Sequence, residues 1–291
     1  QEPEVVALAV VNMIFRGDGK NNLIEGNCFT KWLVPATDSG IPTAQYGDVT
    51  PQEGSQVITK VLMNPPFALK SSDEKEHKFV DHALKQMSDG GILFSVLPNS
   101  NLVKSGGYLE WRKELLRKNT LLAVVTFPED LFYPIGIITV GVFIKKGIPH
   151  PHDQKVVWMR ALNDGLLKSK GKRLPNPRAT NDFEKIKPVL RAFINDPDIE
   201  VEDIVEFQKA EVIDFDDPIL ELIPEAYLDE RKPTKEDIAN DLDTIVRETI
   251  SFLVGSNREK DFIKNVLTNE LFRETKPKEL EGQKEIQITE L

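Results

Sequence analysis

Between residues 57 and 145 the sequence alternates short apolar segments with amphipathic ones, and this alternation constrains the fold more than any other feature. Three segments have the length and residue types of buried strands: 57–63, 92–97 and 121–127. Two segments show helical spacing: 74–87 and 108–118. Strands that alternate with helices predict an α/β fold with a doubly wound, mostly parallel sheet, covered on both faces. Residues 135–145 follow 121–127 without a helix, so these two strands are expected to pair antiparallel at one edge.

The composition changes after Gly147, where Pro, Asn, Asp, Lys and Arg become frequent. We therefore predict a domain boundary there, with a catalytic domain over residues 1–147 and a second region over residues 148–291. A short strand is predicted at 156–159, and helices at 181–195 and 235–253. The second region is accordingly expected to be mainly helical.

The formal net charge of −10 excludes a protein with a uniformly basic surface for nucleic acid, because phosphate contacts come mainly from Lys and Arg. Contact with DNA would need a local basic face or a partner subunit. The one cysteine, Cys28, cannot form a disulfide within the chain, and the sequence has neither a signal-peptide core nor an apolar run long enough to cross a bilayer. The cytoplasm is the expected compartment, with no membrane partner.

The apolar segment 57–63 stops at Asn64-Pro65-Pro66-Phe67, and ligands of open α/β sheets bind at the carboxyl ends of strands. The exocyclic amine of adenine is a poor nucleophile, so acceptors must hold its hydrogens and orient its lone pair. The Asn64 side-chain oxygen and the Pro65 carbonyl can accept those hydrogens, and the prolines fix their direction. Phe67 can stack on a base swung out of the duplex. The alternative is a strand-terminating turn with Phe67 in the core.

Several segments, in this order and spacing, resemble the modification subunits of type I restriction systems and the related adenine-N6 DNA methyltransferases. They are Gln1-Glu2-Pro3 with the helix at 6–13, Gly26-Asn27-Cys28-Phe29, Asn64-Pro65-Pro66-Phe67, residues 91–98, and residues 127–144. The resemblance covers about residues 1–147. It implies a Rossmann-like fold of the class I methyltransferase type.

The activity implied by the resemblance is transfer of a methyl group from S-adenosylmethionine to N6 of an adenine flipped out of a specific double-stranded DNA sequence. Catalysis would use Asn64, Pro65, Pro66 and Phe67, without a covalent enzyme intermediate and without a metal. The partners implied are DNA, a DNA-specificity subunit and a restriction subunit.

Three residues are assigned to cofactor binding by the resemblance. Glu2 matches the acidic residue that binds the ribose hydroxyls, although a solvated chain-end residue is the alternative. Asn27 stands where the family usually has an Asp that accepts from the adenine amine of the cofactor, and Cys28 lies beside it. The alternatives are a turn-forming Asn27 and a Cys28 that is simply a buried small residue.

The glycine-rich cofactor loop of the family has no counterpart in this sequence. In the family this loop follows the first strand, whereas Glu2 matches the residue after the second, so the resemblance predicts the loop upstream of Gln1. Glycines in that loop let the backbone approach the methionine part of the cofactor. We therefore expect the 291-residue chain by itself to bind S-adenosylmethionine weakly or not at all.

Other groups give weaker indications. One basic cluster can contact DNA phosphates or can be a solvated loop: Lys168, Lys170, Lys172 and Arg173. No metal site is predicted, because the histidines lack the spacing of ligand pairs: His77 and His82 are five residues apart, and His150 and His152 flank a proline.

Two other functions remain open at this point. A truncated, non-catalytic modification subunit would act as an interaction module, and the presence of the glycine-rich loop distinguishes it from an enzyme. A methyltransferase for another amine, such as a glutamine side chain, could use a similar tetrapeptide, and transfer of label to DNA or to protein distinguishes these two. The helix at 235–253 can dock a specificity subunit or can pack on its own domain.

Overall fold

A six-stranded mixed sheet forms the centre of the computed structural model, which describes residues 3–17, 23, 25–30, 32–35, 44–47, 58–67, 75–169 and 172–255. In sheet order the strands are β10 (Gln208–Val212), β7 (Lys155–Arg160), β5 (Thr120–Thr126), β6 (Thr139–Lys145), β4 (Met87–Pro98) and β3 (Ile58–Met63). β3, β4, β5 and β7 run parallel to one another, and β6 and β10 run the opposite way. The predicted α/β class is confirmed.

The helices are α1 (Pro3–Phe15), α2 (Glu76–Gln86), α3 (Ser100–Val103), α4 (Gly107–Lys118), α5 (Phe183–Asn195) and α6 (Lys235–Gly255). Two further strand pairs are antiparallel: β1 (Trp32–Pro35) with β2 (Ala44–Gly47), and β8 (Leu166–Ser169) with β9 (Lys172–Pro175). Among the described helices, none combines the length and the hydropathy needed to span a membrane.

Two hydrophobic cores cover the two faces of the sheet. On one face, side chains of α2 and α4 such as Val80 and Leu115 pack with Trp158 of β7. On the other face, Leu190 and Phe193 of α5 pack with residues of β5 and β7. Both faces of the central strands are therefore removed from water, which explains why their sequences are continuously apolar rather than alternating.

The strand β6 lies between β4 and β5, so the prediction that β5 and β6 form a pair at the edge of the sheet is wrong. The two strands do pair antiparallel, as predicted. Val140, Val142 and Ile144 of β6 are each at most 1% exposed, which is the burial of a central strand. The antiparallel pairing with both neighbours also satisfies the backbone of β6 on both sides.

The composition change after Gly147 falls inside this sheet, because β7 and β10 lie beyond it and pair with β5 and with each other. The chain divides instead into one compact unit over Gln1–Glu230 and a second over Arg231–Leu291. The described residues after Gly147 hold four strands as well as α5 and α6, so the region is mixed rather than mainly helical. Polar loops between buried strands explain the misleading composition. A functional division between residues 1–147 and 148–291 stays a prediction.

The buried His150 predicts that stability falls in mild acid. Its side chain is 7% exposed, and burial, with a smaller contribution from His152, lowers its pKa from 6.5 to about 4. The unfolded chain therefore takes up this proton before the folded chain does, so the contribution of neutral His150 is complete above pH ~6.5 and is lost as the pH falls toward 4. The loss amounts to about 3 kcal/mol of unfolding free energy.

Urea unfolding of the wild type and of His150→Leu between pH 7 and pH 4 measures this contribution. The wild type should lose more stability across the interval than the variant does. His152→Leu is the matched control, because its side chain is exposed. Equal pH slopes for the wild type and His150→Leu would contradict the prediction.

Candidate functional site

The carboxyl ends of four parallel strands meet at one edge of the sheet. Asn64 follows β3, Asn99 follows β4, Phe127 follows β5 and Ala161 follows β7. The antiparallel β6 begins at the same edge, where Thr139 is paired with Pro98. Side chains from five consecutive strand ends can therefore contribute to one site, as expected for open α/β sheets.

The tetrapeptide Asn64-Pro65-Pro66-Phe67 directly continues β3, whose last residue Met63 pairs with Ser95 of β4. Asn64 and Pro66 are exposed, Pro65 is buried, and Phe67 is half-buried. The buried ring of Pro65 fixes the backbone while the Asn64 side chain stays accessible from solvent. Phe67 packs partly on the core that faces α5, and this burial agrees with the turn interpretation.

Phe132 lies against Phe67, a contact that sequence reasoning missed. The two ring centroids are 5.7 Å apart and the ring planes stand at 85°, the edge-to-face arrangement that aromatic pairs prefer. Phe132 belongs to the segment that connects β5 to β6. Sixty-five residues separate the two rings along the chain, so no local pattern could have predicted the contact. Phe67 and Phe132 together form what we call the aromatic pair.

A cavity of about 520 Å³ opens at the same edge of the sheet. Its lining includes Asn99, Phe127, Arg160 and Glu225. The Thr126 hydroxyl donates a hydrogen bond of 2.9 Å to a Glu225 carboxylate oxygen, and the Arg160 Nε donates one of 3.1 Å to the Glu206 carbonyl. Two further carboxylates, those of Glu129 and Asp130, also line the cavity. The lining thus combines aromatic, amide, acidic and basic groups, which can orient a planar polar ligand.

Gly141 of β6 allows the rings of Phe127 and Phe94 to pack directly against the backbone of the sheet. A Cβ atom at Gly141 would lie 2.6 Å from the Phe127 ring and 2.7 Å from the Phe94 ring. Gly141→Ala is therefore expected to destabilise the fold by about 2 kcal/mol, because inserted atoms in a packed core force neighbours out of place. Thermal unfolding measures the loss, and Gly136→Ala is the control, since a Cβ there meets nothing within 4 Å. Equal melting temperatures for the two variants would contradict the prediction.

The residues assigned to the cofactor form a turn beside α2. The Asn27 side-chain oxygen accepts a hydrogen bond of 3.0 Å from the Phe29 backbone N–H, at the start of a 3-10 turn over Cys28–Thr30. The Phe29 ring lies 4.5 Å from that of Phe79 on α2. Asn27 thus forms a turn, as its alternative interpretation held, yet an amide oxygen has a second lone pair for a ligand. Cys28 is exposed, so the interpretation as a buried small residue is wrong. Glu2 lies outside the described residues.

Three members of the basic cluster, Lys168, Lys172 and Arg173, lie in the paired strands β8 and β9, which excludes the solvated-loop interpretation for Lys168. Its side chain is 4% exposed and pairs with carboxylates, so it is not accessible to a DNA phosphate. Lys172 and Arg173 are exposed, and Lys170 lies outside the described residues.

In the parts of the chain that the structure describes, no group of three or more His, Cys, Asp or Glu side chains is arranged to hold a metal ion. His77 lies between aromatic rings instead, with ring centroids 5.1 Å from Tyr108 and 5.4 Å from Trp111. Burial lowers the pKa of His77 below its usual value, as expected for a packed imidazole.

Comparison with known proteins agrees with the motif and the fold. The sequence model of the N-6 DNA methylase family matches residues 1–220. This chain belongs to the N-6 DNA methylase family. The match reaches beyond the residues that carry the resemblance and includes β7 and β10.

Two curated relatives illustrate the kinship. The type II restriction enzyme and methyltransferase RM.BcgI of Heyndrickxia coagulans is 33% identical over 169 residues, which are 56% of this chain and 24% of that protein. The type I restriction enzyme EcoKI methylase subunit of Escherichia coli (strain K12) is 26% identical over 204 residues, or 67% of this chain and 36% of that subunit. This N-6 DNA methylase chain thus spans about a quarter to a third of the length of these relatives.

Two solved structures share the fold at low sequence identity. A chain of a type I R-M system gives a TM-score of 0.53 at 19% identity, covering 93% of this chain and 54% of its own length. The EcoKI M protein gives 0.52 at 17% identity, covering 89% of this chain and 58% of its own length. These likenesses concern the fold.

Proposed function

We propose that the protein transfers a methyl group from S-adenosylmethionine to N6 of adenine in a specific DNA sequence, as the modification enzyme of a restriction-modification system. The observation that carries the proposal is an accessible Asn64 in Asn-Pro-Pro-Phe at the carboxyl end of β3, in a chain of the N-6 DNA methylase family. Family membership implies S-adenosylmethionine as the methyl donor.

In this proposal, Asn64 and Pro65 activate the amine of the target adenine. The Asn64 side-chain oxygen and the Pro65 carbonyl each accept one hydrogen from N6, which draws the nitrogen lone pair out of conjugation with the ring. These acceptors also stabilise the positive charge that develops on N6 as it attacks. An amide oxygen is too weak a base to take the hydrogen itself, so the proton leaves to solvent after methyl transfer. When bound, S-adenosylmethionine supplies an electrophilic methyl group on a positively charged sulfur.

The aromatic pair gives a flipped adenine a surface to stack on. Half-buried Phe67 and its edge-on neighbour Phe132 are held by the core, so a base can contact a ring whose position is already fixed. Rigid aromatic contacts of this kind lower the entropic cost of holding the base. For the cofactor, we propose contacts from Glu2, Asn27 and Cys28.

The net charge of the chain and the exposed apolar residues of α6 both support the proposal that partner subunits are present. A chain of net charge −10 needs help in binding DNA phosphates. We propose that a DNA-specificity subunit supplies much of that contact, and that a restriction subunit completes the system. Within α6, Ile238, Leu242, Ile245 and Val246 are 48–58% exposed and recur at helical spacing, which suits packing against a helix of another subunit.

The test is methyl transfer by the protein purified from its own cells, with any subunits that copurify. Labelled S-adenosylmethionine is supplied together with unmethylated DNA of the host, and the digested nucleosides are separated. The expected product is labelled N6-methyldeoxyadenosine. Label on a protein glutamine would support methylation of another amine, and absence of any label would support a non-catalytic interaction module; either result overturns the proposal.

A further inference from the structure

The side chain of Lys168 is enclosed by carboxylates at the base of the β8–β9 hairpin. Its Nζ lies 2.6 Å from an Asp164 oxygen and 2.8 Å from an Asp130 oxygen. The Lys168 and Asp164 side chains are only 4% and 7% exposed. Burial works against the charged form of Lys168, but its hydrogen bonds to the two carboxylates outweigh burial and raise its pKa. The ammonium therefore stays charged inside the fold.

Arg173 strengthens the same attachment from the neighbouring strand. It is the direct cross-strand partner of Lys168. One guanidinium nitrogen lies 3.8 Å from Asp164, and the other donates a hydrogen bond to the Leu131 carbonyl. The hairpin thus contacts two consecutive residues: Lys168 pairs with the Asp130 carboxylate, and Arg173 donates to the Leu131 carbonyl.

These attached residues immediately precede Phe132 of the aromatic pair. Asp130, Leu131 and Phe132 lie in the segment between β5 and β6, which has no regular strand or helix from residue 127 to residue 138. Local turns close it, with the Tyr133 N–H donating to the Asp130 carbonyl at 3.0 Å. Such turns fix a local shape but do not fix where the segment sits over the sheet. Leu131 and Phe132 pack on the core that faces α5, and the attachment to the hairpin adds polar links at Asp130 and Leu131 that hold the segment over the sheet.

We propose that Lys168 is a positioning residue for methyl transfer: through Asp130 it holds the β5–β6 segment so that Phe132 stays against Phe67 beside the catalytic tetrapeptide. The inference rests on the proposed function, because it assigns a role within that site. The buried Lys168–Asp164 pair is a costly way to gain stability alone, because the cost of removing both charges from water offsets most of their electrostatic attraction. Its value lies in fixing one geometry, and errors of about 1 Å near reacting groups can cost roughly 100-fold in rate.

The role differs measurably from a phosphate contact, which the sequence pattern of this cluster also allowed. A lysine that binds phosphate contributes to DNA affinity, so its loss raises KM. The loss also makes the slope of log binding constant against log salt concentration shallower by about one. A positioning lysine leaves affinity for the DNA backbone intact. Its loss lowers kcat while KM for DNA stays nearly constant.

The experiment compares three variants of the complete protein. Lys168→Met removes the charge, Asp130→Ala removes the link to the segment and leaves the Lys168–Asp164 pair, and Asp130→Asn keeps an oxygen acceptor both for Lys168 and in the cavity lining. The control is Lys187→Met, which makes the same charge change at an exposed position of α5, outside the basic cluster. Should Lys168→Met fail to fold, Asp130→Ala carries the test, because the Asp130 side chain is 55% exposed.

Steady-state methylation gives kcat and KM, and hydrogen exchange of the peptide spanning residues 128–135 reports the segment directly. We expect kcat to fall about 10- to 100-fold in Lys168→Met and Asp130→Ala, with KM for DNA within about twofold. Exchange should rise about tenfold or more in both. Asp130→Asn should recover most of the loss, and Lys187→Met should match the wild type.

Unchanged exchange and unchanged kcat in both variants would overturn the proposal, as would a raised KM with normal kcat. If the wild type itself methylates no DNA, the proposed function fails, and the exchange measurement still decides whether Lys168 and Asp130 hold the segment. The two failures are therefore distinguishable.

Discussion

Replacing Asn64 with alanine should reduce methyl transfer to DNA by about 100- to 1,000-fold, as expected when one of two fixed groups that stabilise a developing charge is removed. The Asn64 side chain is exposed, so the fold loses little packing and the melting temperature should stay near that of the wild type. Initial rates with labelled S-adenosylmethionine and saturating DNA measure the effect.

A second variant separates loss of the acceptor from general damage to the site. Asn64→Asp keeps an oxygen acceptor of similar size and should retain more activity than Asn64→Ala. DNA affinity of Asn64→Ala, measured by titration, should remain close to that of the wild type because phosphate contacts dominate it. Full activity of Asn64→Ala would contradict the assignment of this residue and, with it, the proposed mechanism.

Replacing Arg112 with methionine should cost about 4 kcal/mol of unfolding free energy, the loss expected when a buried charged donor leaves its acceptors unpaired. Arg112 is 0% exposed. Its guanidinium donates four hydrogen bonds of 2.7–2.9 Å, to the carbonyls of Asn101, Lys104, Ile219 and Leu220. These bonds join α3 and α4 to a segment more than 100 residues later in the chain. Chemical unfolding in urea measures the loss.

Lys113→Met is the matched control for this variant, since Lys113 is the next residue of α4 and its side chain is 55% exposed. Its effect should stay within about 0.5 kcal/mol, as for surface substitutions generally. Arg112→Lys should fall between the two, because an ammonium has three donors and cannot reproduce the planar fork of the guanidinium. If Arg112→Met were as stable as Lys113→Met, the four hydrogen bonds would make no net contribution to the unfolding free energy.

The order of strands and helices from residue 57 to residue 145 could be predicted because each element carries its own pattern. β5 and β6 are both apolar and short, but nothing in either sequence says which neighbour the second strand takes. The insertion of β6 between β4 and β5 depends on long-range pairing. β10 could not be predicted for a different reason. It is an outer strand in which only Gln208 and Ala210 are buried, so its sequence contains no apolar run.

The position of the tetrapeptide at the end of β3 could be predicted because its four residues are adjacent, and its catalytic role stays a prediction. The long-range contacts around it could not be predicted. Phe132 reaches Phe67 across the sheet edge, and Lys168 reaches Asp130 across 38 residues. Sequence inspection instead grouped Lys168 with its basic neighbours, because charge runs usually face solvent. Only the fold reveals that this one member is buried among carboxylates.

The start of β6 lies at the same edge as the ends of β3, β4, β5 and β7, so the residues that fix the strand pairing are separate from the residues that line the candidate site. The register of the buried strands is fixed by pairs such as Val142 with Ser95 and Val124, below the edge. The segment from residue 127 to residue 138 crosses above them. Its exposed positions, such as Glu129 and Ile135, contribute little to the core, so substitutions there should alter the surface beside the candidate site while the unfolding free energy stays nearly the same.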